Sequence, residues 1–276
     1  MILTTAMGYY LGLNTLGKGF NDFHVWGKLL HLLIGSFLAS GGVSALNEYL
    51  ERNFDEKMKR TFHRPLPSKR ITPSEAKLFG IFISTTGVVY LAFTTNLLVS
   101  GLTATTIILY LFVYTPLKRV TTWNTLIGAI PGAMPPLGGW ATATGNLEWG
   151  AWILFAILFC WQIPHFLSIA ILYKNDYKLG GFKMLPVVYP KSYQTNLHII
   201  FFTLALFGTS LTLYFANVTS IIYAFGVTVL SISFFMIALQ TVRNNSKAIT
   251  RRLLFASIVY LPALFIITII DQILKI

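Results

Sequence analysis

Residues 29–70 read LLHLLIGSFLASGGVSALNEYLERNFDEKMKRTFHRPLPSKR. Positions 29–47 form an apolar run without Asp, Glu, Lys or Arg, close to the ~20 residues a helix needs to cross a bilayer. Charge then arrives abruptly. Four of the chain's nine acids, Glu48, Glu51, Asp55 and Glu56, fall within nine positions. Asn47, Glu51 and Asp55 are spaced i, i+4, i+8, so a helix places them along one stripe. Neighbouring carboxylates repel and call for a counter-ion. Hard oxygen donors at this spacing suit Mg²⁺, which commonly bridges a few carboxylates to substrate phosphates. The basic run Lys57, Lys59, Arg60 and Arg64 follows at once. Carboxylates for a metal beside cations for phosphate oxygens are what a diphosphate site requires. Taken alone, the same stretch also reads as a solvated loop of mixed charge.

The rest of the chain fixes the class. Hydrophobic residues make up 55% of the 276 positions and charged residues 11%, against about 25% charged in a soluble domain. Strand-like alternation is absent, which argues against a β-barrel. Nine apolar segments fall near 1–13, 29–47, 75–95, 98–116, 123–142, 150–172, 194–214, 218–239 and 253–273. The first covers only part of a bilayer. It reads as the end of a membrane helix rather than a signal peptide, because no basic n-region or cleavage site accompanies it. The single cysteine, Cys160, sits in an apolar run and is expected to be buried.

The net charge of +12 does not point to nucleic acid, because the basic residues are segregated by loop. Counting Lys77 with the loop before it, 18 of the 21 Lys and Arg follow even-numbered segments. Lys18, Lys28 and Lys275 are the others. The positive-inside rule puts the even-numbered links in the cytoplasm. Ser68 and Ser192 should then face one side and Asn146 the other. The expected fold is all-α and integral to the membrane: about nine transmembrane helices around a central cavity, capped by two charged cytoplasmic loops near 48–74 and 173–193. Residues 1–276 are read as one domain. In the second loop Asp176 is the only acid, among Lys174, Lys178 and Lys183.

Four stretches together resemble the UbiA-type intramembrane prenyltransferases. The first is Asn47-x-x-x-Glu51-x-x-x-Asp55-x-x-Met58-x-Arg60-Thr61-x-x-Arg64-Pro65-Leu66-Pro67. The others are YTPLKRVTTWNTLIGAIPGAMPPLGGW (114–140), WQIPHF (161–166) and DYKLGGFKMLPVV (176–188). Within that family the Met-x-Arg-Thr continuation is similar to the heme-farnesylating branch. Two positions depart from the family pattern. Glu51 stands where an Asp is usual, which keeps the charge. Gly180 stands where quinone-type relatives carry a second acid, so Asp176 lacks a complete metal motif.

The resemblance implies transfer of a farnesyl group from farnesyl diphosphate to the 2-vinyl group of heme B, with water addition. It implies Mg²⁺ held by Asn47, Glu51, Asp55 and Asp176. Arg60, Arg64, Tyr114, Lys118 and Lys174 are then the diphosphate candidates. Tyr114 reads equally as an interfacial aromatic. His165, inside an apolar segment after Pro164, is a candidate ligand for the heme iron. The competing reading is a histidine hydrogen-bonded at a proline kink. The expected setting is a bacterial plasma membrane, with a downstream heme A synthase as a partner and no nucleic acid. The alternatives are a prenyltransferase acting on a quinone precursor, and a transporter. A transporter would place charges at the bilayer midplane, whereas these acids lie at helix ends.

Overall fold

The computed structural model describes residues 1–18, 23–190, 193–244 and 246–274. Lys191, Ser192 and Lys275, used in the charge and topology reading, lie outside them. The described chain is helical: α1 (Ile2–Thr15), α2 (Phe23–Asp55), α3 (Pro73–Thr94) and α4 (Leu97–Ile108) come first. A π-helical turn, Leu109–Tyr114, joins α4 to α5 (Thr115–Leu117). Then follow α6 (Asn124–Ala133), α7 (Pro135–Thr144), α8 (Trp149–Leu172), α9 (Lys174–Leu179), α10 (Leu185–Val188), α11 (Tyr193–Phe215), α12 (Ile221–Arg243) and α13 (Lys247–Leu274).

Among the described residues seven helical stretches are long and apolar enough to cross a bilayer: α2, α3, Leu97–Leu117, α8, α11, α12 and α13. The other two of the nine apolar segments are helical but differ in form. The first, α1, has 14 residues. The segment near 123–142 is two ten-residue helices meeting at Met134. Pro135 and Pro136 open α7; neither can donate a backbone hydrogen bond, and their rings exclude a continuous helix. Lipid is the natural solvent for the outer surface, since Phe93, Phe23, Trp149 and Leu97 are at least 80% exposed.

One boundary matters for function. The apolar run ends at Asn47, but α2 continues to Asp55 and is 33 residues long. At 1.5 Å per residue it spans about 50 Å, more than the ~30 Å apolar core. The acid stripe is therefore helical, not loop, and Asn47, Glu51 and Asp55 are all buried. The second charged stretch is also partly ordered, as the short α9 and α10.

The largest core joins α1, α6, α7 and α8 to α10–α13, around Trp140, Ile157, Tyr223 and Tyr260. Glycines set the closest crossing in this half. A Cβ on Gly8 of α1 would overlap the carbonyl oxygen of Pro136, and one on Gly139 of α7 would overlap that of Thr5. Close backbone approach through small residues is how membrane helices gain packing energy. In the last three helices, polar groups meet across the interfaces. Tyr260 Oη lies 3.1 Å from Ser210 Oγ and 2.9 Å from Ser231 Oγ. Asp271, fully buried in α13, accepts from the amides of Ser220 and Tyr223 at 2.9 Å each. It thus caps the start of α12 from a neighbouring helix. Asp271→Ala leaves those amides unpaired at a cost of about 1–3 kcal/mol. The purified variant should melt at lower temperature with unchanged activity per folded molecule. An unaltered melt would show that the cap does not hold α12 to α13.

Candidate active site

The end of α2 is where the charged residues converge. Glu51 and Asp55 are 4% and 1% exposed. Burying a carboxylate is costly unless a cation or several donors pair with it. Each has a cation. Lys118 Nζ lies 3.0 and 3.1 Å from the two oxygens of Glu51. Arg64 Nη1 donates to Asp55 Oδ2 at 2.8 Å, and its Nε lies 3.7 Å from Glu48 Oε1. Asn47 completes the stripe: its Nδ2 donates to Glu51 Oε2 at 3.0 Å, and its Oδ1 accepts from Thr115 Oγ1 at 3.0 Å. Asp55 is braced further by Thr61, whose hydroxyl donates to the Asp55 carbonyl at 2.9 Å.

Three chain segments supply this cluster. The first is α2. The second is the turn after it, which folds back so that Arg64 returns to Asp55. The third is Leu97–Leu117 with the residues just past it. Here the π-turn sets the register that carries Thr115 and Lys118 to the stripe. Tyr110 and Tyr114 flank Lys118, whose Nζ is 5.9 and 4.6 Å from their ring centres. Such contacts hold an ammonium without removing its charge. Tyr114 fits against Gly128 of α6, where a side chain would collide with its ring.

The second loop closes on the first through Arg60. The amide of Arg60 donates to Asp176 Oδ2 at 3.2 Å, and its Nη2 donates to Tyr177 Oη at 3.1 Å. Its guanidinium also stands over Tyr173 and Tyr177, 5.2 and 5.3 Å from the ring centres. A second contact involves Gly180. A Cβ there would come within 2.9 Å of Met58 Sδ, and Met58 is buried with Phe182 and Met184. Gly180 thus makes room for the methionine of the Met-x-Arg-Thr stretch.

Asn47, Glu51, Asp55, Arg64, Tyr114 and Lys118 are therefore drawn together, and Arg60 is joined to Asp176. Lys174 is half-buried and makes no ion pair or hydrogen bond among the described residues. His165 belongs to a different contact. It lies between α8 and α13, where its Nδ1 is 2.8 Å from Ser257 Oγ. Thr115, Tyr173 and Tyr177 were not singled out by sequence. Thr115 carries a weak signal, three residues before Lys118; the two tyrosines are four apart at the start of the second loop.

Among the described residues no group of three or more Asp, Glu, His or Cys side chains converges as a ready metal cage. Two carboxylates and an amide oxygen on one stripe are hard donors. They fit a cation that takes its remaining ligands from phosphate and water, as Mg²⁺ does.

Comparison with known proteins agrees with the fold and the motifs. The chain is 40% identical to the protoheme IX farnesyltransferase of Solibacter usitatus (strain Ellin6076), over 99% of this chain and 94% of that protein. In structure it is similar to a digeranylgeranylglyceryl phosphate synthase, with a TM-score of 0.77 at 18% identity, covering 100% of this chain and 93% of the other. It is also similar to a UbiA homologue from Archaeoglobus fulgidus bound to DMAPP and Mg²⁺. That match has a TM-score of 0.56 at 16% identity and covers 98% of this chain and 96% of the other. At these identities the structural likeness speaks for the fold. The profile of the UbiA prenyltransferase family matches residues 2–259. The chain belongs to the UbiA prenyltransferase family.

Proposed function

We propose that this chain transfers the farnesyl group of farnesyl diphosphate to the 2-vinyl group of heme B, with addition of water, releasing diphosphate and giving heme O. The observation that carries the reading is the buried stripe of Asn47, Glu51 and Asp55, faced by Lys118 and Arg64. The relative named above, which shares 40% of its residues along nearly the whole chain, supports heme as the acceptor.

The chemistry follows from what the residues can hold. Glu51 and Asp55, with the Asn47 amide oxygen, would hold Mg²⁺ alongside the substrate's phosphates, and Asp176 would add a carboxylate from the second loop. The cation, when bound, draws charge from the leaving oxygens. Lys118, Arg64 and Arg60 neutralise the rest as the C–O bond breaks, and Lys174 and Tyr114 border the same anion. These groups act where charge develops, which is where stabilisation accelerates the step. The apolar surroundings keep bulk water from the allylic cation. The terminal vinyl carbon of heme takes up that cation, and water adds to the adjacent carbon with loss of a proton. His165 is proposed to ligate the heme iron. The protein acts as a multi-pass enzyme of the cell membrane with both charged loops cytoplasmic, and its product passes to a heme A synthase.

Purified enzyme given heme B and farnesyl diphosphate should form heme O only with Mg²⁺ present. Consumption of a hydroxybenzoate in place of heme would overturn the acceptor. Orientation has its own check. Cysteine at Ser68 should label only from the cytoplasmic side, and cysteine at Asn146 only from the other.

Asp176 allows a finer test. It is tied to the Arg60 amide rather than to the stripe, and a lone carboxylate binds hydrated Mg²⁺ weakly. Asp176→Asn should therefore lower turnover strongly while Mg²⁺ binding without diphosphate stays near wild type. Glu51→Gln should disturb both. Equal weakening of metal binding by the two variants would show one preformed site shared by both loops.

A further inference from the structure

The ring of His165 is held by α8 and α13 together. It stacks on Trp161 at a centroid distance of 4.9 Å and 17° between planes. The indole N–H of Trp161 donates to the Ser257 carbonyl at 2.7 Å. The Ser257 hydroxyl has one hydrogen, and Oγ lies 2.5 Å from the Leu254 carbonyl oxygen, which can only accept. Such bonding to the preceding turn is usual for serine inside a helix. With its hydrogen spent there, Oγ faces His165 Nδ1 as an acceptor, and Nδ1 carries the ring hydrogen. In a neutral imidazole the other nitrogen then bears a lone pair. Among the described residues His165 Nε2 has no hydrogen-bond partner, and the side chain is only half-buried.

We propose that Ser257 is a positioning residue: it fixes His165 as the Nδ1–H tautomer and so presents Nε2 as the ligand for the iron of the porphyrin substrate. This rests on heme being the acceptor. Metal-binding histidines generally donate their second N–H to an oxygen, which sets both ring orientation and basicity. Here Ser257 Oγ stands in that place beside His165 Nδ1. Packing alone does not account for it. A histidine that served only to join two helices would leave Nε2 unpaired at membrane depth, where an unmet polar atom is costly.

The placement suits the reaction. Trp161, His165, Ile169 and Tyr173 recur at intervals of four along α8 and the residue after it. Tyr173 meets the Arg60 guanidinium at 5.2 Å, and His165 lies about 12 Å from it along the helix axis. A porphyrin held at His165 would thus lie about two helical turns from the end of the site proposed to hold the diphosphate.

The test uses the full-length protein in lipid nanodiscs without farnesyl diphosphate, titrated with ferric heme B and with metal-free protoporphyrin IX. Wild type should bind heme more tightly than the metal-free ring and give an imidazole-ligated spectrum. Ser257→Ala keeps the carbonyl that Trp161 needs. It should weaken heme binding about ten-fold or more and diminish that spectrum, with little change toward protoporphyrin IX. Ser257→Thr should restore both. His165→Ala should abolish the preference for the iron porphyrin, and free imidazole should return the spectrum. Wild-type preference and spectrum in Ser257→Ala would overturn the role of Ser257. An unchanged spectrum in His165→Ala, with wild type still converting heme, would overturn the ligand and leave the function standing. Equal binding of both rings by wild type, with no heme consumed, would overturn the function itself.

Discussion

Glu51→Gln and Asp55→Asn should each lower turnover about 10²–10³-fold, the scale seen when one preorganised electrostatic contact to a transition state is lost. The amides preserve shape and hydrogen bonding but not charge. In this fold the missing charge has a second effect. In Glu51→Gln, Lys118, whose side chain is 13% exposed, would face a neutral amide with no counter-charge. In Asp55→Asn, Arg64 would lose its charged partner at 2.8 Å. Destabilisation and loss of chemistry must therefore be separated. Glu51→Gln combined with Lys118→Met should melt near wild type and remain inactive. Steady-state rates at limiting and saturating Mg²⁺, beside thermal melts, decide the matter. Either single variant working near the wild-type rate at limiting Mg²⁺ would remove its carboxylate from the site.

The largest effect on folding is expected at the crossing of α1 and α7. Gly8 and Gly139 each lie against a carbonyl oxygen of the opposite helix, so neither helix can yield by rotating a side chain. Overpacking a tight interior typically costs 1–3 kcal/mol, and about that range or more applies to Gly8→Val and to Gly139→Val. Bulk lipid offers α1 an equally apolar surface, so close packing, with the Tyr9 hydroxyl donating to the Val25 carbonyl at 2.8 Å, must hold it in place. Both variants should lose most of the protein that survives detergent extraction as a monodisperse species. Gly101→Ala, where an added methyl meets open space, should not. If the valine variants extract and melt like wild type, α1 is not docked as described.

The membrane class, the stripe of Asn47, Glu51 and Asp55 and the basic run beside it were legible because they are local. They are patterns of spacing within one helix or one loop. The end of α2 was not legible. Hydropathy falls at Asn47, yet the helix persists because Lys118, Arg64 and Thr115 supply partners for its polar stripe. The break at Met134 was hidden in a run that stays apolar on both sides of the proline pair. Asp271 and Ser257 looked like ordinary residues of a hydrophobic helix. Their partners lie 51 and 92 positions away at Ser220 and His165, and no periodicity reports such pairings.

The π-turn at Leu109–Tyr114 amounts to one surplus residue lodged in a membrane span. Above it, Thr106 meets Met134 of the α6–α7 junction through a 3.2 Å hydroxyl–sulfur contact. Below it, Thr115 and Lys118 meet α2. The bulge absorbs the surplus residue so that the residues beyond it keep their phase, and the single hydroxyl hydrogen of Thr115 is shared between the Tyr110 carbonyl at 2.9 Å and Asn47 Oδ1 at 3.0 Å. Drawing the same residues into an unbroken α-helix, with none deleted, would swing Lys118 by about 100° away from Glu51. The span thus works as a phase adapter: one residue is stored in the bulge so that Thr115 and Lys118 stay aligned with α2.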